Sequence, residues 1–173
     1  MNFVIDNMQP SDWDDVRRIY LEGLATGQAS FETDAPSWEA WNSSRLEHSR
    51  LVAREVNRAP GRVIGWAALS PVSKRACYAG VAETSVYVAA DARGRGVGKA
   101  LMEKLIEVSQ RNGIWSLYGS TFPENAASIE LQLACGFRIV GRRERIARHH
   151  GVWRDTIITE RRSQIVGTED ERP

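Results

Sequence analysis

The apolar positions of the chain follow two rhythms. Trp13, Val16, Ile19, Tyr20 and Leu24 recur at helical spacing behind Ser11, a candidate N-cap, and Gly27 breaks that segment. Pro36-Ser37 opens a second helical segment carrying Trp38, Trp41 and Leu46. Short β-branched and aromatic runs predict strands at 2–6, at Leu51-Val52-Ala53, at Val63 to Leu69 and at 83–89. Ala29-Ser30-Phe31-Glu32-Thr33 is expected to be extended or loop, Arg58-Ala59-Pro60-Gly61 a turn, and 71–75 a loop. A helix over 98–111 stops at Asn112-Gly113, and Ile114 to Thr121 predicts another strand. A helix follows from Ala126 to Cys135 with Gly136 as its C′ residue, then a strand from Phe137 to Val140. The stretch 142–160 alternates as a closing hairpin around His150-Gly151. No repeat or linker interrupts this order. It predicts one mixed α/β domain over 1–162 and a loose polar tail at 163–173.

Composition narrows the function classes. A chain of 173 residues is long enough to bury a core, and 42% hydrophobic with 26% charged residues is ordinary for a globular protein. The net charge of +1 supplies no field that would draw nucleic acid or an anionic membrane. Arg138, Arg142, Arg143, Arg145 and Arg148 form a basic cluster, but it lacks the interleaved aromatics of a nucleic-acid surface. The first residues carry no signal-peptide pattern, and no run approaches transmembrane length. Cys77 and Cys135 are too few for a disulfide framework and show no metal-ligand spacing. Both sit among apolar neighbours in sequence, so free thiols and a cytoplasmic location are expected, and no metal.

Candidate chemistry is concentrated after the fourth predicted strand. Val86-Tyr87-Val88 runs through a short turn into Arg93-Gly94-Arg95-Gly96-Val97-Gly98-Lys99, at the start of a helix. Backbone N–H groups of such a loop converge, and the helix dipole adds partial positive charge, which makes an anion cradle. The loop has neither the Gly-Lys-Ser/Thr end of a P-loop nor the acidic residue of a dinucleotide fold. Glu83 stands just before the strand. At a sheet edge it would be a solvated carboxylate, whereas in a cleft burial would raise its pKa toward that of a general base. Arg75 and Tyr78 lie on the connection to the same strand, and Arg75 has the fork to hold a substrate carboxylate. Asn125 and Ser128 sit one turn apart at the start of the later helix, as an N-cap or as ligand-bonding groups.

Taken together, these motifs resemble the GCN5-related N-acetyltransferase superfamily over residues 2–162. The loop residues Arg93, Gly96 and Gly98 match its Arg/Gln-x-x-Gly-x-Gly/Ala signature, Asn125 and Ser128 its Asn-x-x-Ser helix, and Gly136-Phe137 the pair that follows. Ala29-Ser30-Phe31-Glu32-Thr33, Arg75-x-x-Tyr78-x-x-x-x-Glu83, and Gly151-x-Trp153-x-Asp155 resemble the branch that acetylates phosphinothricin, methionine sulfoximine and arsinothricin. The run from Gly65 to Glu83 is most similar to the arsinothricin members.

The resemblance implies a sheet splayed between its fourth and fifth strands, with acetyl-CoA in the splay. Its pantetheine would pair with the backbone of Val86 and Val88, and its pyrophosphate would sit on the 93–98 loop. Glu83 would accept the substrate's ammonium proton, a backbone N–H near Val86 would face the developing oxyanion, and Arg75, Tyr78 and Phe31 would bind a small amino-acid-like substrate. A homodimer is common among such proteins. One departure stands out: relatives carry His or Tyr four residues before Gly-Phe, and here that position is Gln132. Glutamine exchanges no proton near neutral pH, so either the thiolate leaves unaided or Tyr118 or Tyr87 supplies the proton. Another amine substrate, or a non-catalytic acetyl-CoA-binding module, remains an alternative at this stage.

Overall fold

The computed structural model describes residues 2–56 and 61–168. The predicted turn at Arg58-Ala59-Pro60 therefore lies outside the described residues. A seven-stranded sheet forms the centre, in the order β1-β2-β3-β4-β5-β7-β6. Its strands are β1 Phe3–Asn7, β2 Leu51–Glu55, β3 Val63–Pro71, β4 Val81–Val88, β5 Ser116–Thr121, β6 Arg138–His149 and β7 Val152–Arg162. The helices are α1 Trp13–Leu24, α2 Trp38–Ser44, α3 Val97–Arg111 and α4 Ala126–Ala134. Every strand pair is antiparallel except β4 with β5.

β3 explains how the layers stack. It is buried from Val63 to Leu69, as a strand covered on both faces must be. Because side chains alternate across a strand, Trp66 faces one layer and Gly65 the other. Trp66 meets Tyr20 of α1 edge-on at 5.6 Å and Trp41 of α2 edge-on at 5.5 Å. It also stacks on Tyr87, its cross-strand partner in β4, at 4.6 Å. Gly65 looks the other way, where a Cβ would stand 3.0 Å from Leu101 and 3.1 Å from Val97 of α3. The absence of a side chain there lets α3 lie close on the sheet. On α1, Val16, Ile19, Tyr20 and Gly23 form the buried stripe, and a Cβ on Gly23 would press on the Tyr87 ring at 2.7 Å.

The helix ends follow local chemistry, with one correction. Ser11 does not cap α1; it lies in a 3-10 turn, Pro10–Asp12, that leads into the helix. Asp12 stands at the N-cap position of α1 without a side-chain bond to the helix; its carboxylate instead closes the 3-10 turn, accepting the Gln9 N–H at 2.9 Å and pairing with Arg54 at 3.0 Å. Ser37 caps α2 as its position suggests, accepting the Ala40 N–H at 3.2 Å, but Leu46 falls beyond the end of that helix. α4 ends on Gly136, at φ 83, with Phe137 N–H returning to the Gln132 carbonyl and Gly136 N–H to Leu133.

β6 and β7 form the predicted hairpin, turning at His150 and Gly151 with φ of 49 and 79. β6 is a longer strand than expected and carries two register shifts, near Ile139 and between Arg143 and Ala147. Asp155 holds the second, accepting from Arg145 N–H at 2.7 Å and from the Arg142 guanidinium. The Arg145 N–H and Arg142 together hold the Asp155 carboxyl below its ordinary pKa. Arg138 pairs with Glu160. These pairings give part of the basic cluster a structural use. Past β7, Ser163 is buried and accepts from the N–H groups of Ile165 and Val166, while Arg162 bonds the Val166 carbonyl at 2.8 Å. The first part of the expected loose tail is thus folded back, and 169–173 lie outside the described residues. Cys77 and Cys135 are unpaired, and Cys77 is exposed rather than among apolar neighbours. Among the described residues no helix is long and apolar enough to cross a membrane.

Leu101 tests the α3 layer. It is fully buried against the Gly65 position. Leu101→Ala is expected to cost about 3 kcal/mol, read as a lower urea midpoint at unchanged slope.

Candidate active site

The site begins where a strand pair ends. β4 and β5 pair in parallel at Val81↔Ser116, Ala82↔Leu117 and Glu83↔Tyr118, and no further. Thr84 Oγ1 donates to the Tyr118 carbonyl at 3.2 Å at the fork, and the strands then diverge. From Thr84 to Val88, β4 keeps its β3 partner on one side only. Backbone groups on the open side have no strand partner and suit an extended ligand. A cleft of about 630 Å³ occupies the divergence, lined by Glu83 to Val88 of β4, Gly119 to Phe122 at the end of β5, and the start of α4.

Glu83 occupies the inner end of this cleft. Its cross-strand partner is Ser70, so the two side chains share a face of the sheet. Arg45, just beyond α2, donates from Nη1 to Ser70 Oγ and lines the same cleft. Burial pushes the Glu83 carboxyl above its ordinary pKa, while the positive charges of Arg45 and Arg143 pull it partway back. Burial likewise lowers the pKa of Arg45 and raises that of Tyr20, which lies across the cleft. The Tyr87 phenol is also raised by burial; its ring is packed between Trp66 and Tyr20, the latter at 4.9 Å.

At the outer end, Gly94 and Gly96 adopt left-handed φ of 73 and 80, open to glycine without strain. Gly96 is the N-cap of α3 and accepts the Ala100 N–H at 3.1 Å, so the amides of Val97, Gly98 and Lys99 have no acceptor within the helix. Gly98 lies against α4, where a Cβ would meet Leu131 at 3.3 Å. These features fit a diphosphate. The side chains contribute unevenly. Arg93 lines the cleft and bonds the Val88 carbonyl at 3.4 Å. Arg95 turns to Glu55, Lys99 to Glu103, and Val97 is buried in the core.

On the α4 side, Asn125 caps the helix by accepting the Ser128 N–H at 3.3 Å and also donates to the Gln28 carbonyl at 3.2 Å. That second bond ties the loop bearing Phe31 to α4. Phe31 walls the cleft, edge-on to Phe122 at 4.7 Å and to His149 at 6.2 Å. His149 is buried at the end of β6. Gln132 is buried with its amide fully engaged: Nε2 donates to Thr121 at 3.0 Å and to Ser128 at 3.1 Å, and Oε1 accepts from Thr159. It clamps α4 to β5 and β7.

Three expected residues stand elsewhere. Arg75 and Tyr78 are on and beside an exposed 3-10 turn before β4, stacked on each other at 5.6 Å, and are not among the cleft-lining residues. Tyr118 is also outside the cleft, under the Arg143 guanidinium. Arg45, Tyr20 and Glu32 line the cleft and were not anticipated. The only local signal at Arg45 is negative: no carboxylate stands three or four residues away to pair with it on a helix.

A family model described as "Acetyltransferase (GNAT) family" matches residues 12–137. The chain belongs to the GNAT acetyltransferase family. That membership makes it an N-acetyltransferase. An L-methionine sulfoximine/L-methionine sulfone acetyltransferase of Pseudomonas aeruginosa is 33% identical over 84% of this chain and 86% of its own length. A phosphinothricin N-acetyltransferase of Alcaligenes faecalis is 31% identical over 84% of this chain and 75% of its own. Among solved structures, a GNAT phosphinothricin acetyltransferase from Sinorhizobium meliloti in complex with AcCoA superposes with a TM-score of 0.87 at 27% identity. The match covers 98% of this chain and 93% of that one.

The charges around Glu83 can be tested directly. A carbon-13 carboxyl titration is expected to place Glu83 above the ordinary glutamate pKa of about 4.3. Arg143→Met should move it further up, because a cation favouring the ionised form is lost. No movement would mean that Arg143 does not reach it.

Proposed function

We propose that this acetyltransferase uses acetyl-CoA to acetylate the α-amino group of a small acidic amino-acid analogue of the phosphinothricin, methionine sulfoximine or arsinothricin kind. The role is detoxification or antibiotic resistance. The observation that carries this reading is the placement of a half-buried carboxylate, Glu83, and a partly buried cation, Arg45, in the same cleft where β4 leaves β5. The names of the two relatives point to the same substrate class.

The open edge of β4 at Val86, Tyr87 and Val88, the loop from Arg93 to Gly98, and the α4 start at Asn125 and Ser128 are the groups proposed to hold acetyl-CoA. Of the loop side chains, Arg93 is the one proposed to take part; Lys99 contributes its backbone N–H. When bound, acetyl-CoA supplies an electrophilic thioester. Glu83 accepts a proton from the substrate ammonium, directly or through water, leaving a neutral amine with a free lone pair. A raised pKa suits this work, since a carboxylate nearer neutrality holds the proton more readily. A backbone N–H near Val86 would stabilise the negative charge developing on the thioester oxygen. Binding both reactants in one cleft removes much of the entropic barrier.

Gln132 takes no part in proton transfer. Its amide hydrogens are engaged with Thr121 and Ser128, and Tyr118 lies outside the cleft. A thiol such as that of cysteine has a pKa of about 8.5, far below that of an alcohol, so departure as the thiolate needs no dedicated acid. Arg75 and Tyr78, expected at the substrate's acidic end, sit at the exposed turn before β4 and are not among the cleft-lining residues. Phe31 retains its proposed role as a wall. A homodimer and a cytoplasmic location remain part of the proposal. β6 ends the sheet with Ile139, Val140 and Ile146 exposed, which supports pairing between copies.

Release of CoA is expected with at least one of phosphinothricin, arsinothricin or methionine sulfoximine, and little with glutamate. Turnover on none of them, with acetyl-CoA still bound, would sink the proposal. Glu83→Gln should lower kcat/KM by roughly 100-fold or more and remove the acid limb of the pH profile, with acetyl-CoA affinity nearly unchanged. A pH profile that keeps its acid limb would rule Glu83 out as the base.

A further inference from the structure

Arg45 is a cation left waiting for a partner. It stands at the C-terminal end of α2, reaches the sheet, and donates from Nη1 to Ser70. Its Nε is buried with no hydrogen-bond partner, and no carboxylate among the described residues pairs with it. The Trp41 ring lies 5.8 Å from its guanidinium carbon. Taking a guanidinium partly out of water without a counter-charge is costly, and burial accordingly depresses its pKa. The titratable groups near enough to influence it are the carboxyls of Glu83 of β4 and Glu32 of the loop carrying Phe31, and the phenols of Tyr20 and Tyr87, which stay neutral near pH 7. All of these line the same cleft.

The sheet register places this cation beside the proposed base. Ser70 and Glu83 are direct cross-strand partners, so their Cβ atoms lie roughly 5 Å apart on one face. In an α-amino acid a single carbon separates the ammonium from the carboxylate. A ligand that sets its ammonium against Glu83 therefore carries its carboxylate toward the group bound to Ser70. We propose that Arg45 receives the substrate's α-carboxylate, so that the cleft selects α-amino acids over simple amines. This proposal rests on the amino-acid reading above. The bond is charge-assisted, and guanidinium and carboxylate match as planar forks. It assigns the acid-binding role expected of Arg75 to a residue that lines the cleft.

Calorimetry on the full chain saturated with CoA separates the possibilities, with methionine sulfone and its decarboxylated counterpart 3-(methylsulfonyl)propan-1-amine as probes. The wild type is expected to bind methionine sulfone more tightly than the amine. Arg45→Met should weaken methionine sulfone by roughly 10- to 100-fold, while leaving the affinities for CoA and for the amine within about 2-fold. Arg45→Lys, which keeps the charge but loses the fork, should fall between. Equal weakening of both probes would mark Arg45 as a packing residue and overturn the proposal, as would no weakening of either. Failure of the wild type to bind methionine sulfone, methionine sulfoximine, phosphinothricin and arsinothricin alike would instead overturn the amino-acid reading, and this proposal with it.

Discussion

The parallel pairing of β4 with β5 stops at Glu83, and the rest of the site depends on that stop. A sheet that continued to pair would fill the cleft with its own hydrogen bonds and leave no edge for a ligand. Two constraints keep the strands apart. α3 packs against the β3 and β4 face through Val97 and Leu101, with Gly98 letting Leu131 of α4 approach. Gln132 then pins α4 to Thr121 of β5 and Thr159 of β7. The helix that follows β5 is thus bolted to the far half of the sheet, while the helix that follows β4 belongs to the near half.

The same arrangement sets the electrostatics. Because β4 is open on one side, its inner end is buried enough to disfavour a charged carboxylate, yet it opens into the cleft. Arg45 and Arg143 offset part of that penalty, one from beyond α2 and one from β6. The net effect is a Glu83 carboxyl whose pKa lies above the ordinary glutamate value. Gln132 shows the opposite choice. Its amide hydrogens are spent on Thr121 and Ser128 and its oxygen on Thr159, so the side chain serves architecture.

Much of this was legible in the linear order of residues. The periodicity of Val16, Ile19 and Tyr20 marked α1, the Arg93 to Gly98 loop marked the start of α3, and Gly136-Phe137 marked the end of α4. These are local signals, since spacing and caps act over one or two turns. Where expectation failed, a distant group had intervened. Ser11 lost its capping role because Asp12, held by Arg54 of β2, fixes the entry to α1. Arg75 and Tyr78 follow the motif in spacing but fold onto each other on an exposed turn.

By itself the sequence determined the element order, the glycine positions and the superfamily, because each rests on residues within a short stretch of chain. Only the tertiary structure decided that Glu83 faces a cleft, that Gln132 is a clamp, and that Arg45 lines the same cleft as Glu83. Arg45 and Glu83 belong to different elements, joined only through Ser70 on a third. Their proximity depends on strand register and helix packing, and no spacing along the chain encodes it.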